Sequence, residues 1–184
     1  MSVFSNRYSD AKQEASDYTG ALLGLLGDRD PAAILEKTPV DLANLVAGLP
    51  VSDLTRREAP GKWSMIQVMR HLADSEIVVA YRFRRIVAED RPTIHGYDQD
   101  LWAERLDYEH ADLGETLGEI RALRRGNLRL IRSLDAGTRQ RAGVHSERGE
   151  ESIEHLVRVY AGHDLLHLNQ LTWIRKGLGI AAPR

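Results

Sequence analysis

Apolar positions in this chain return at steps of three and four, the spacing that gathers side chains on one face of an α-helix. From Ser64, which forms a capping box with Gln67, the residues Val68, Leu72, Val79, Phe83 and Ile86 keep that spacing to about Glu89. Asp112 and Glu115 open another capped stretch, in which Leu117, Ile120, Leu123, Leu128, Ile131 and Leu134 mark the buried side before Gly137. A last stretch, from about Ser152 to Lys176, turns Ile153, Val157, Tyr160, Leu168, Leu171 and Ile174 inward and stops at Gly177 and Gly179. Near the start, Leu22, Leu25 and Leu26 close a helix expected from roughly Asp10 to Leu26, with a polar amino end and Gly27 as its C-cap glycine. Asp30-Pro31 and Thr38-Pro39 each pair an N-cap residue with a proline suited to a first helical position, so the stretch to Gly48 reads as one or two short helices. The segment from Asp90 to Ala111 is too long for a simple connection and predicts a short helix after Asp98. No strand alternation and no internal repeat stands out. Four main helical blocks predict an all-α fold, a four-helix bundle.

Composition narrows this picture. A chain of 184 residues suits one domain, and 42% hydrophobic with 28% charged residues is ordinary for a globular protein. The formal charge of −2 supplies no basic field, and Arg84-Arg85 and Arg124-Arg125 are short pairs inside helical patterns, so nucleic acid is not an expected partner. There is no cysteine, which removes disulfides, thiolate metal sites and a cysteine nucleophile; thiol chemistry would require an outside thiol. The opening residues lack a hydrophobic signal core, and no apolar run approaches the ~20 residues that span a bilayer. A cytoplasmic location without membrane attachment is the expectation.

Seven histidines are present, and their contexts differ. His95, His110 and His145 fall in expected loops and His155 opens the last helix on a polar segment; solvent exposure is the reading for all four. His71 sits among Val68, Leu72, Ser75, Val78 and Val79, on the inward side of its helix. Alone it reads more readily as a satisfied core residue than as a ligand. His163 and His167 are four apart, so their rings leave one helix face a turn from each other, where they either share one ion or make separate hydrogen bonds. A third inward histidine favours the shared ion. Three neutral imidazoles leave a coordination position open, as catalytic metal sites do.

Nearby polar residues offer indirect roles. Asp74, three residues from His71, and Asp164, beside His163, are candidates to orient an imidazole, hold a water or move a proton, with a plain ion pair as the alternative. Glu76, five residues from His71, points about 140° away round the helix and is not expected to reach the same ion. Tyr160, Trp63 and Trp102 read as core. No His-Glu-x-x-His, Gly-x-Ser-x-Gly or phosphate-cradling loop is present.

The segments Pro60-Gly61-Lys62-Trp63-Ser64, His71-Leu72-Ala73-Asp74-Ser75-Glu76, Tyr97-Asp98-Gln99-Asp100 and Gly162-His163-Asp164-Leu165-Leu166-His167 resemble those of the DinB-like (DinB/YfiT-like) superfamily, over roughly Tyr18 to Leu178. The resemblance implies an up-down-down-up four-helix bundle with a core at about 18–178, residues 1–17 being an extension. It implies a homodimer and a metal site on His71, His163 and His167 for one divalent ion, zinc or nickel foremost. Its members include S-transferases using low-molecular-weight thiols, metal-dependent hydrolases and stress-response proteins. The first expectation is therefore an S-transferase with a thiol cosubstrate held by the ion and a small-molecule second substrate. A hydrolase that activates water is the alternative, and a non-catalytic metal-dependent binding protein a third reading.

Overall fold

The computed structural model describes residues 11–182, with side chains from residue 16 onward; the part of the expected extension before Ala11 lies outside the described residues. Five long helices dominate: α1 (Ala11–Leu26), α2 (Pro31–Val46), α4 (Met65–Ala88), α6 (Leu113–Ser133) and α8 (Ile153–Gly177). Short helices α3 (Val51–Leu54), α5 (Gln99–Arg105) and α7 (Ala136–Arg139) join them. The starts follow the capping chemistry. Asp30, Asp98, Asp112 and Ser152 each accept a backbone N–H of the first turn, and the Gln67 side chain accepts from the Ser64 N–H at 3.0 Å.

Packing partners fix the topology. Helices α2, α6, α4 and α8 close a ring, and α1 lies along α8. At one end Leu42 and Val46 of α2 share a cluster with Leu72 of α4, Ile120 of α6 and Leu171 and Ile174 of α8. At the other end Leu35 joins Phe83, Ile86, Leu128, Ile131, Ile153 and Val157. The number order along each helix then shows that α2 and α8 run one way and α4 and α6 the other. This is the up-down-down-up order, and α4 and α6 are parallel neighbours. A parallel pair needs a crossover back along the bundle, which is why the segment after Glu89 is long. It holds strand β1 (Thr93–Ile94), α5 and a 3₁₀ turn at Tyr108–His110.

Two local expectations are resolved by the structure. Of the one or two helices expected up to Gly48, the stretch from Pro31 to Val46 forms one, with Pro39 inside it. Pro39 cannot donate to the Leu35 carbonyl one turn earlier, but Arg124 Nη1 donates to that carbonyl at 2.5 Å, so the freed acceptor is satisfied from α6. The chain also contains strands: β2 (Ala142–His145) pairs parallel with β1 and antiparallel with β3 (Gly149–Ser152). Strands of two to four residues are too short to show an alternation, and the β1–β2 pairing joins segments some fifty residues apart.

The two apolar clusters are separated by a polar layer. Arg124, 4% exposed, donates from Nε to Glu76 and from Nη1 and Nη2 to Asp164 at 2.7 and 3.1 Å. Asn127 adds a 2.9 Å bond to Glu76. Burial raises the Glu76 pKa, with the Asp164 charge adding to the effect. Against the other side of α8, Gly162 meets α1: a Cβ there would lie 2.2 Å from the Leu22 carbonyl oxygen. A glycine is needed for the two backbones to approach so closely.

Gly162→Ala is expected to destabilise the protein by about 1–3 kcal/mol, as overpacking does, whereas Gly118→Ala on the open face of α6 should be neutral or stabilising; thermal unfolding of the two variants checks both. Arg124→Met leaves two carboxylates buried without their cation and should cost about 3–5 kcal/mol, while Arg124→Met combined with Glu76→Gln and Asp164→Asn should recover much of that loss. Urea unfolding of the single and triple variants measures the difference.

Candidate metal centre

His71 lies in the polar layer on α4, and the antiparallel α8 brings His163 and His167 to the same level. Their Nε2 atoms converge: His163 Nε2 is 3.2 Å from that of His71 and 3.1 Å from that of His167. These residues form the group among the described residues able to hold a metal ion, with one ligand atom from each within 4.8 Å of the others. Nitrogens bound at ~2.0–2.1 Å with tetrahedral angles sit about 3.4 Å apart. The spacings from His163 to its two neighbours lie within a few tenths of an ångström of that value, and all three ligand atoms lie within 4.8 Å of one another, close enough to converge on one ion. Imidazole donors suit zinc, nickel, copper and iron.

Hydrogen bonding favours Nε2 as the donor atom. Gln170 Oε1 lies 2.7 Å from His167 Nδ1, so the ring donates from Nδ1 and keeps its Nε2 lone pair for the ion. The Nδ1 atoms of His71 and His163 are buried without a protein partner among the described residues. Charge is excluded from the site by desolvation: burial pulls the pKa of His71 and of His163 well below the usual histidine range, with the neighbouring imidazoles adding to it. Burial brings His167 down to about 4 against an opposing bond from Gln170. All three rings are neutral at physiological pH, the state that coordination requires.

Aromatic rings brace the imidazoles. The Trp63 ring centroid is 5.2 Å from that of His71, and Tyr160 stacks on His163 at 6.0 Å with an 8° angle between planes. Tyr160 also carries the Arg124 guanidinium on its ring, at 5.3 Å, so the buried ion network stands directly behind His163. A cavity of about 110 Å³ opens on His71 and His163, with Ser75, Arg82, Tyr97 and Arg148 among its walls. The Ser75 hydroxyl is 3.5 Å from His71 Nε2 and 3.3 Å from the Tyr97 hydroxyl, a polar line leading out of the centre.

The two aspartates take the ion-pair alternative. Asp74 accepts from Arg70 and from Tyr108 at 2.5 Å each, and Asp164 accepts from Arg124, so neither orients an imidazole through Nδ1. Both carboxylates are buried, and a guanidinium in reach is a stronger partner for them than a neutral ring. Glu76 belongs to the Arg124 network and not to the trio. His95 and His110 are exposed and His155 is half-buried, but His145, expected in solvent, is 2% exposed. Strand pairing with Ile94 draws it in, and its Nδ1 accepts from the Glu147 and Arg148 amides at 3.1 and 3.4 Å. Trp63 and Tyr160 are core residues that also wall the site, and Trp102 packs against Tyr97 at 4.5 Å. Gln170 was discoverable from its position three residues after His167. Tyr97 stood in one of the segments that resemble the superfamily, whereas Arg82 and Arg148 carried no such signal.

The depressed histidine pKa values set a pH dependence. In the unfolded chain these rings take a proton near pH 6.5, and in the folded chain His167 does so only near 4. Between those values the unfolded state binds more protons, so stability is lost as pH falls from about 6.5 toward 4 and is unaffected by this group above 6.5. Urea unfolding of chelated protein should show that loss, up to about 3 kcal/mol for a fully titrated ring of this kind, and His167→Gln should flatten part of the profile.

Known proteins give the same picture. Residues 34–171 match the model of the DinB superfamily. A protein of Oceanobacillus iheyensis, named "Putative metal-dependent hydrolase OB0782", is 33% identical over 142 residues, covering 77% of this chain and 82% of its own. "Putative metal-dependent hydrolase YfiT" of Bacillus subtilis is 29% identical over 147 residues, covering 79% of this chain and 83% of its own. The solved structure of YfiT, described as having an unusual four-helix bundle topology, superposes with a TM-score of 0.76 at 25% identity, over 95% of this chain and 93% of that one. With its family match spanning most of the bundle, this chain belongs to the DinB superfamily.

Proposed function

We propose that His71, His163 and His167 hold one divalent ion, zinc or nickel, and that the protein is a metal-dependent S-transferase joining a low-molecular-weight thiol to an electrophilic small molecule. One observation carries the choice of nucleophile. The described residues lining the cavity over the trio are apolar, hydroxyl-bearing, amide or cationic, and none is a carboxylate placed to take a proton from water. A divalent ion in such a site supplies a coordination position at which a thiol loses its proton near neutral pH without a protein base.

The chain's own residues would do the rest. The imidazoles, held by Gln170, Trp63 and Tyr160, set the direction of the open position. The apolar walls from Val79 and Leu156 exclude water from the sulfur, and the Ser75 and Tyr97 hydroxyls are placed to donate to an oxygen of the electrophile. A sulfur lone pair forms the new carbon–sulfur bond, the thiol proton passes to solvent, and the displaced electron pair leaves with the leaving group or moves onto the electrophile's oxygen. The names of the relatives favour a second reading, a metal-dependent hydrolase, in which water takes the place of the thiol.

Thiol consumption by zinc- or nickel-loaded protein, measured with a general electrophile and a panel of cellular thiols beside an ester and phosphoester panel, decides between them. Turnover with one thiol is expected; hydrolysis without thiol consumption overturns the S-transferase reading. Metal analysis should give one ion per chain. Replacing His71, His163 or His167 with alanine should each cost metal binding and about 100-fold or more in turnover, and replacing His95, His110 or His155 should cost neither.

A further inference from the structure

We propose that the Ser75 and Tyr97 hydroxyls are paired donors for an oxygen that becomes negative during the reaction, and that they select α,β-unsaturated carbonyls and epoxides as electrophiles over alkyl halides. This rests on the S-transferase reading and names the class of its second substrate. Ser75 is buried on α4 one turn beyond His71, on the same face, and its hydroxyl is 3.5 Å from His71 Nε2. Tyr97 comes from the crossover segment between β1 and α5, and its hydroxyl is 3.3 Å from that of Ser75. Both residues line the cavity over the trio. Two hydroxyls carry two hydrogens, and whichever donates to the other, one hydrogen remains. Along this line, among the described residues, its acceptor is His71 Nε2, whose lone pair is the one that metal binding uses. In the loaded centre that hydrogen is therefore left for a substrate oxygen beside the open coordination position.

The two hydroxyls are held in place before a substrate arrives. The segment leading to Tyr97 is pinned to the small sheet, where the Ser146 amide donates to the Ile94 carbonyl at 2.9 Å and the Gly96 amide to Ser146 Oγ at 3.4 Å. The Trp102 ring packs on Tyr97 at 4.5 Å between centroids. Donors fixed in this way need no reorganisation when charge appears. Burial raises the Tyr97 pKa, so the phenol keeps its proton and serves as a donor and not as a base. Val78, Val79 and Leu156 line the same cavity, and a hydrogen bond to charge is stronger in such dry surroundings than in water. Chemistry that ends with charge on oxygen draws most from this arrangement. In conjugate addition a sulfur lone pair bonds the β carbon, the carbon–carbon π electrons move toward the carbonyl oxygen, and solvent then protonates the α carbon. In epoxide opening sulfur bonds one carbon, the carbon–oxygen bond breaks with its electrons on oxygen, and solvent protonates that oxygen. The thiol's own proton passes to solvent in both. Displacement of a halide leaves the electrons on a large, diffuse ion that accepts only weak hydrogen bonds, so the hydroxyls contribute little to it.

Zinc-loaded full-length protein, supplied with the cellular thiol it uses best, is assayed with cyclohexenone, styrene oxide and benzyl bromide, each rate being divided by the rate without protein. The first two should be accelerated about tenfold or more beyond the third. Tyr97→Phe and Ser75→Ala should each lower kcat for the first two by about 10- to 100-fold with little change in KM, because the charge they meet develops only in the transition state. Benzyl bromide turnover should hardly change, and Tyr81→Phe on the exposed face of α4 should alter nothing. A second readout needs no turnover: para-nitrophenolate, which carries its charge on oxygen, is titrated into zinc-loaded protein and followed by its absorbance. Both variants should bind it about tenfold more weakly than the parent at equal zinc content. Equal losses with all three electrophiles, no loss with any of them, or unweakened nitrophenolate binding in both variants overturns the donor pair. If the parent consumes no thiol with any electrophile, the S-transferase reading fails and the substrate class with it, while the nitrophenolate titration still decides the pair. If it consumes thiol but accelerates benzyl bromide as much as the other two, the S-transferase reading stands and the selection by Ser75 and Tyr97 is wrong.

Discussion

The guanidinium of Arg124 touches all four helices of the ring, and the rest of the architecture is arranged around it. From α6 it reaches the Leu35 carbonyl of α2, Glu76 of α4 and Asp164 of α8. Each contact removes a liability: a carbonyl orphaned by Pro39 and two carboxylates with almost no access to water. None of these groups would be tolerable alone in a core, and together they satisfy one another. The network also specifies register, because sliding α4, α6 or α8 by a turn would leave at least one buried charge without its partner, and sliding α2 would strand the Leu35 carbonyl. This layer divides the apolar interior into two clusters, and it is at this level that the imidazoles meet.

The same dryness that makes the ion network demanding prepares the metal centre. Three imidazoles buried together lose affinity for protons and retain lone pairs, so the apo site is a set of neutral donors held against competition from acid. Tyr160 lies between the two systems, its ring stacked on His163 and facing Arg124. The ligand geometry is in this way braced by the helix packing. Gly162, by letting α1 approach α8 beside His163, sets one wall of the cavity through Tyr18 and Leu22.

Function follows from which groups surround the open side of the trio. Hydroxyls, aliphatic walls and guanidinium groups face it, and the nearby carboxylates Asp74 and Asp164 are turned into ion pairs of their own. The proposed S-transferase reading draws on this lining, because a nucleophile that a bound ion deprotonates needs no side-chain base.

The sequence by itself determined the local elements and the candidate ligands. Helical spacing, the capping pairs at Ser64 and Asp112, the glycine stops and the four-residue interval of His163 and His167 are all short-range signals, and a side chain's face on its own helix depends only on that spacing. It pointed to the glutamate at position 76 as lying off the trio for the same reason. Only the tertiary structure decided what those faces meet. Whether Asp164 serves an imidazole or an arginine depends on Arg124, forty residues away, and the unbroken helix through Pro39 depends on the same side chain. The burial of His145 and the arrival of Arg148 at the cavity depend on a sheet whose strands are too short to leave a pattern and whose partners are distant in the chain. Local propensity is written residue by residue, but a buried polar group takes whichever partner the folded chain brings within hydrogen-bonding distance.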